Sequence, residues 1–305
     1  EHGEHCHEHE HEHHHEHEHE HGDHCCHEPK LHTGLLAHYQ GGFLPMDDNR
    51  DGFLDMPQSQ QGNLLNRWYY KTEDYTFQFL VRGLYDQRLG GQRYAHHSPL
   101  YNNKVWNQLY DPYEISLRTY RIDGFMKNGY VFDHESGSSI GIITAASYHD
   151  QLNRYGNREW KASQTNAYLN TMYQTNFEGD FSRGLDNDHK LTVGVSLNYD
   201  KYGEVLDLVT DTTNLTRWEI TPGLFAEYTL RLDEWLSLVA GVRADYSNRY
   251  GFFCTPRLNL RVSPWEWWTI RTSVGLGYRS PNVISDNAQF MPSNRKFTQW
   301  GLPLV

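Results

Sequence analysis

The chain has 305 residues, a formal charge of −12, 37% hydrophobic residues and 14% aromatic residues. No Lys/Arg cluster occurs anywhere, which argues against a nucleic-acid partner, since phosphate recognition needs a basic face. No stretch of 18 apolar residues exists, so no transmembrane helix is expected. Abundant aromatics in an otherwise polar chain fit the aromatic girdles of a membrane β-barrel better than a soluble core.

Residues 1–28 hold thirteen His, nine Glu, one Asp and three Cys. Their ten acids, with no Lys or Arg, carry −10 of the charge and leave the rest of the chain near −2. Neutral imidazole, carboxylate and thiolate are ligands for borderline divalent metals such as zinc, copper and nickel. The candidate ligands are His5, Cys6, His7, His9, His11, His13, His14, His15, His17, His19, His21, His24, Cys25, Cys26 and His27. His-x-His spacing lets an extended chain chelate but fixes no single geometry, and binding should weaken as imidazole protonates. With no apolar residue to bury, residues 1–28 are expected to be disordered without a ligand, within a low-complexity segment assigned to 1–31. A repeat expansion with no selected ligand is the plainer alternative.

Residues 47–55 read DDNRDGFLD. Asp47, Asn49 and Asp51, then Gly52, the carbonyl of Phe53 and Asp55, match the opening of a calcium loop. The twelfth position is Gln58 rather than a bidentate Glu, so only weak calcium binding is expected. Asp, Asn and Gly also make plain turns in water, and both readings stay open.

From residue 62 the apolar period is two. Leu191, Val193, Val195 and Leu197 alternate with Thr192, Gly194, Ser196 and Asn198, and similar runs recur to Tyr278. One face suits lipid and the other water. The pattern predicts about ten strands, at 64–71, 75–86, 113–124, 139–149, 164–176, 190–200, 217–231, 235–247, 255–263 and 267–278. Short turns are expected at 72–74, 232–234 and 264–266, and long loops at 87–112, 150–163, 201–216 and 248–254. In an outer-membrane barrel the short turns are periplasmic and the long loops extracellular, so residues 1–62 are expected outside. Trp68, Trp235, Trp265, Trp267 and Trp268 flank short turns and are expected to form the periplasmic girdle. A soluble sandwich or propeller is the alternative, disfavoured because its strands are usually shorter. His96, His97 and His149 are candidates for the receptor mouth, and Arg118, Arg243, Arg261 and Arg271 for a lumenal charge ladder with Glu227 and Asp245. Arg279 is expected to anchor its loop. No nucleophile–base constellation occurs, so no enzyme is expected.

GLGYRSPN at 275–282, the VISDNAQFMPSNRKF that follows, and the hairpin TPRLNLRVSPWEWWTIRTSVGLGYRSP resemble TonB-dependent outer-membrane receptors of the Bacteroidetes type. KNGYVF and SIGIITAASYHDQ within 127–151, and DDNRDGFLD, look like the same family. The resemblance covers 32–305 and implies a partial transmembrane antiparallel β-barrel, all-β, with about ten of roughly 22 strands. No plug domain, TonB box or aromatic C-terminal strand is recognisable, so the chain reads as an internal piece of a receptor. The implied setting is the outer membrane of a Gram-negative bacterium. The implied partners are the TonB complex, acting through the missing plug, outer-membrane lipid, and a metal ion or metal chelate. The expected cargo is zinc, copper or nickel captured by an extracellular His tract. Open alternatives are cobalamin, haem or a siderophore, or a surface protein that buffers metal and transports nothing.

Overall fold

The computed structural model describes residues 30–92, 113–178, 187–207, 212–232 and 235–293. Eleven strands form one antiparallel sheet in sequential order. They are β1 (Lys30–Gly42), β2 (Gln58–Lys71), β3 (Tyr75–Gly91), β4 (Glu114–Asp133), β5 (Ser138–Tyr155) and β6 (Arg158–Glu178). The sheet continues with β7 (Asn187–Asp207), β8 (Thr212–Leu232), β9 (Leu236–Ser247), β10 (Gly251–Trp265) and β11 (Trp268–Gly275). A helix, α1 (Val283–Asp286), and a 3₁₀ turn (Ala288–Phe290) follow. The sheet is open: β1 pairs with β2 alone and β11 with β10 alone. This is the partial antiparallel barrel that the period-two pattern predicts.

Two differences from the sequence reading matter. First, Lys30–Gly42 is a strand, not part of an extracellular segment. Its register with β2 is continuous, from Lys30 opposite Lys71 to Gly42 opposite Ser59. Its outward residues Leu31, Leu35, Ala37 and Tyr39 alternate with His32, Leu36 and His38, but three glycines and the adjoining His tract obscure that pattern. Second, three of the expected long loops are strand. β5 and β6 are joined by residues 156–157, β7 and β8 by 208–211, and β9 and β10 by 248–250. Gly156, at φ 60°, supplies the left-handed conformation that so tight a turn needs. Backbone ladders need no apolar residues, so polar sequence above the bilayer continues the strands. β6, β7 and β8 have 21 residues each, whereas a tilted crossing takes about 9–11. The sheet therefore rises well past the bilayer on the 156–157 side.

Directly opposed residues of an antiparallel pair share a face. One face exposes Leu31, Leu35, Val193, Val195, Leu197, Leu224 and Val242. The other buries Ser196, Asp200, Glu204, Glu219 and Asp245 and is the inner, lumenal face. Arg243 and Asp245 lie on it as expected, and so do Arg261 and Arg271. Arg118 does not. It stands beside Tyr120 on the outer face, with its guanidinium 5.8 Å from that ring centre, because it is one residue out of phase with inward Leu117. Trp265 stacks on Trp267 and Trp268 at 5.7 and 5.6 Å, placing the expected aromatic band at the short-turn rim.

Inner side chains lean over glycines on neighbouring strands. The Phe225 ring covers Gly194, Arg257 covers Gly241, and the carboxylate of Asp245 lies where a Cβ of Gly223 would be. Asp245 is 1% exposed and accepts from Arg243 Nε at 2.7 Å, while Arg243 Nη2 reaches Ser196 Oγ at 2.7 Å. Gly223→Val should displace this pair and destabilise the complete protein by about 2–4 kcal/mol. Denaturant unfolding in detergent would show it, and an unchanged midpoint would contradict the packing.

Candidate functional site

The site is built by register. On the inner face of the tall rim, His38, Asn63, Leu84, Arg121, His149, Gln164, Tyr202 and Arg217 form one continuous row across β1–β8. The next row toward the short turns holds Arg82, Asp123, Ser147, Asn166, Asp200 and Glu219. Sequence alternation sets the face; only the register sets the neighbours.

Hydrogen bonds lock these rows. Asp123 holds two guanidinium groups, Arg82 Nη2 and Arg121 Nη2, each at 2.7 Å. Asp200 accepts from the amides of Gln164 at 3.0 Å, Asn166 at 3.0 Å and Asn198 at 2.5 Å. Arg217 lies 4.2 Å over the Tyr202 ring centre and 3.6 Å from the Glu219 carboxylate. Positive and hydrogen-bonding groups are thus held in fixed positions, which is what preorganised recognition of a polar ligand requires.

The segment after β11 folds back across this face. Asn282 caps α1, its Oδ1 accepting from the backbone N–H of Ile284 at 3.2 Å and Ser285 at 3.0 Å. Arg279 pairs with Asp286 at 2.8 Å and anchors the loop, as expected. Ile284 and Met291 pack with Tyr155, Trp160 and Leu206 in the main buried apolar cluster. Arg217 Nη1 donates to the Pro281 carbonyl at 2.9 Å, and the Tyr113 hydroxyl to the Pro292 carbonyl at 2.8 Å. Arg158 reaches the carbonyls of Met291 and Ser293. This crossing was not legible in the sequence. Its signal was a scatter of apolar residues, Val283, Ile284, Ala288, Phe290 and Met291, in an otherwise polar stretch.

His149 sits on the inner row between Arg121 and Gln164, with Nε2 3.3 Å from the Gln151 side chain. His96 and His97 lie outside the described residues, as do all the ligands proposed within 1–28. In the 47–55 loop the side chains serve the turn. Asn49 Oδ1 accepts from the Asp51 N–H at 3.0 Å, Asp51 Oδ1 from the Phe53 N–H at 2.8 Å, and Asp55 Oδ2 from the Asp48 N–H at 2.6 Å. Among the described residues no three His, Cys, Asp or Glu side chains are grouped to hold a metal ion.

The sequence profile described as "TonB dependent receptor-like, beta-barrel" matches residues 47–301. The chain belongs to the TonB-dependent receptor β-barrel family. Among solved structures it is similar to the alcaligin outer-membrane receptor FauA of Bordetella pertussis, with 12% identity and a TM-score of 0.58 over 80% of this chain and 37% of FauA. The siderophore receptor PirA of Pseudomonas aeruginosa aligns with 15% identity and a TM-score of 0.45, over 83% of this chain and 46% of PirA. The chain thus spans less than half the length of these receptors. No curated protein sequence matches it. TonB-dependent receptor barrels lie in the outer membrane of Gram-negative bacteria, with short turns toward the periplasm. That orientation corrects the placement of residues 30–42: the loop 43–57 stands at the extracellular rim, as expected, but β1 runs from there to the short-turn rim, where Lys30 stands opposite Lys71. The His tract itself lies outside the described residues.

Glu204 lies beyond the bilayer-crossing part of β7 and receives Asn282 Nδ2 at 3.4 Å. Burial raises its carboxyl above the ordinary value, outweighing the opposing effects of Asn282 and Arg217. An ionised Glu204 therefore disfavours the docked segment. Docking should be strongest below the ordinary value of 4.5 and weaken as pH rises through the raised one. Protease cleavage within 279–293 should be faster at pH 8 than at pH 5, and Glu204→Gln should flatten the difference. Cleavage that does not vary with pH in the unaltered receptor would count against this account.

Proposed function

We propose that the chain is wall and mouth of an outer-membrane uptake receptor whose cargo is a metal held in an organic chelate. The observation that carries this reading is the locked inner row of amides, hydroxyls and guanidinium groups around Arg121, Gln164 and Tyr202. Fixed donors of this kind suit an anionic, oxygen-rich chelate, and Arg121 and Arg82 retain solvent exposure beside Asp123. The fold likeness to FauA, which is named as the alcaligin receptor, supports a siderophore-class cargo. Energy for uptake would come from the TonB complex, through a plug that fills the lumen.

Calorimetry on the complete receptor in detergent tests the reading, with a ferric siderophore, haem, cobalamin and zinc chloride as separate titrants. Saturable heat is expected with a chelate, and Arg121→Ala should weaken it about tenfold, close to 1.4 kcal/mol. Heat with zinc chloride and none with any chelate would replace chelate uptake by free-ion uptake.

A second role belongs to residues 1–28. We propose that they hold zinc, copper or nickel on the periplasmic side rather than capturing it at the mouth, a reading supported by the position of Lys30 at the short-turn rim. Deleting 1–28 should abolish tight zinc binding and leave chelate binding unchanged. Zinc binding that survives the deletion would dismiss the tract as a metal site.

A further inference from the structure

The outward face of β2–β5 carries three rows in register. The lowest holds Leu64, Gly83, Ile122 and Tyr148, and the next Gly62, Tyr85, Tyr120 and Asp150. The third, nearest the tall rim, holds Gln60, Gln87 and Arg118. The lower two rows enclose a groove of about 490 Å³. Two glycines make its floor. A Cβ on Gly83 would meet nothing within 4 Å, and one on Gly62 only the Tyr39 ring, at 4.0 Å. Tyr85 and Tyr120, with ring centres 5.0 Å apart, wall it together with Tyr148.

The height of the groove follows from the strand. Tyr130 and Phe132, with ring centres 5.2 Å apart, mark the short-turn interface. Tyr120 is ten residues away along β4. That is about 33 Å of strand, or about 25 Å of membrane at the tilt of a barrel strand, the height of an outer-membrane apolar band. The groove therefore opens to lipid at the extracellular interface, and the third row stands level with lipid headgroups. A plug fills the lumen and further strands extend the wall at its edges, so neither covers this outward face.

The third row is set to donate. Gln87 Oε1 accepts from Gln60 Nε2 and from the Tyr85 hydroxyl, each at 2.7 Å, which leaves the Gln87 N–H groups to donate elsewhere. Arg118, directly opposite Gln87, lies over the Tyr120 ring and has no ion-pair partner among the described residues. The outward acids nearby are two. Glu159 is held by Arg154 at 2.7 Å and by Lys161 at 2.6 Å. Asp150 lies diagonal to Arg118 across the β4–β5 pair, and it too has no ion-pair partner among the described residues.

We propose that this groove seats one acyl chain of an outer-leaflet lipid whose headgroup is a phosphorylated sugar. The chain lies over Gly62 and Gly83 against the tyrosine rings. Arg118 and the Gln87 amide donate to the phosphate in charge-assisted hydrogen bonds, and Asp150 accepts from a sugar hydroxyl. A headgroup with both functions answers both side chains, whereas a simple anion answers only Arg118. The proposal rests on the outward face alone and not on the cargo read from the lumen.

Native mass spectrometry on the complete protein in detergent tests it, with lipid A and phosphatidylethanolamine as separate titrants. Gly83→Phe fills the groove, and its ring enters open space, so the variant should fold. Arg118→Glu reverses the charge at the headgroup. Lys201→Glu, an outward charge on β7 opposite Trp218, is the control, and mobility on unheated gels checks that each barrel is folded. One lipid A per chain is expected, held about tenfold more weakly by Gly83→Phe and by Arg118→Glu, and unchanged in Lys201→Glu. Equal binding in all four proteins would mean non-specific lipid and overturn the proposal. So would phosphatidylethanolamine held as tightly as lipid A. A two-chain species that Gly83→Phe separates would overturn it as well, by making the groove a contact between copies of the receptor.

Discussion

In hydrocarbon a peptide N–H or C=O has no partner except another peptide, and every other feature of this molecule depends on that constraint. It forces the strands into one continuous ladder. A continuous ladder fixes register, and a slip of one residue would exchange the lipid-facing and lumenal sets. The exposed row of Val193, Val195 and Leu197 and the buried row of Ser196, Asp200 and Glu204 are two outcomes of a single choice. The glycines at 194, 223 and 241 belong to the same choice, because each lies under a large inward side chain from the next strand.

The two rims solve different problems. On the tall rim, strands leave the bilayer and continue in water, where polar residues face inward on both sides of the ladder. Two of their carboxylates are saturated: Asp123 by two arginines, Asp200 by three amides. The segment after β11 adds an apolar cluster where the strands by themselves have little, and it joins β4–β8 to the end of β11. On the short-turn rim the tryptophans mark the interface, and the inner face carries opposed cations. Lys30 meets Lys71 at that rim because β1 is a strand and returns the chain to that side.

A receptor needs a wall that recognises and a wall that does not collapse. Here the same hydrogen bonds serve both ends. Arg121 is held by Asp123 but not enclosed by it, so it keeps its charge and its position while facing the lumen. Arg217 is spent differently, on the Tyr202 ring and the Pro281 carbonyl, and its task is to hold the returning segment. Two arginines in one row thus differ in what packs on them: Arg121 stays open to the lumen, and Arg217 is covered by the returning segment.

Much of this was legible in the sequence. Period-two alternation gave the fold class, the lumenal position of Arg243, Asp245 and Glu227, and the membrane setting, because faces follow from the pleat alone. The GYRSPN segment and its hairpin pointed to the family, and Arg279 to its loop anchor. Strand length was not legible, because the ladder continues through polar sequence once it stands in water. Nor was β1, whose glycines and neighbouring histidines hide an alternation that only pairing with β2 reveals. Arg118 was assigned to the wrong face by a phase error of one residue. The sequence by itself determined which residues face lipid and which face the lumen; the tertiary structure decided which of them meet. That division has a physical cause: the pleat is set by adjacent residues, whereas the rows, the Ile284 and Met291 docking and the rim that receives Lys30 are set by hydrogen-bond register between strands far apart in the chain.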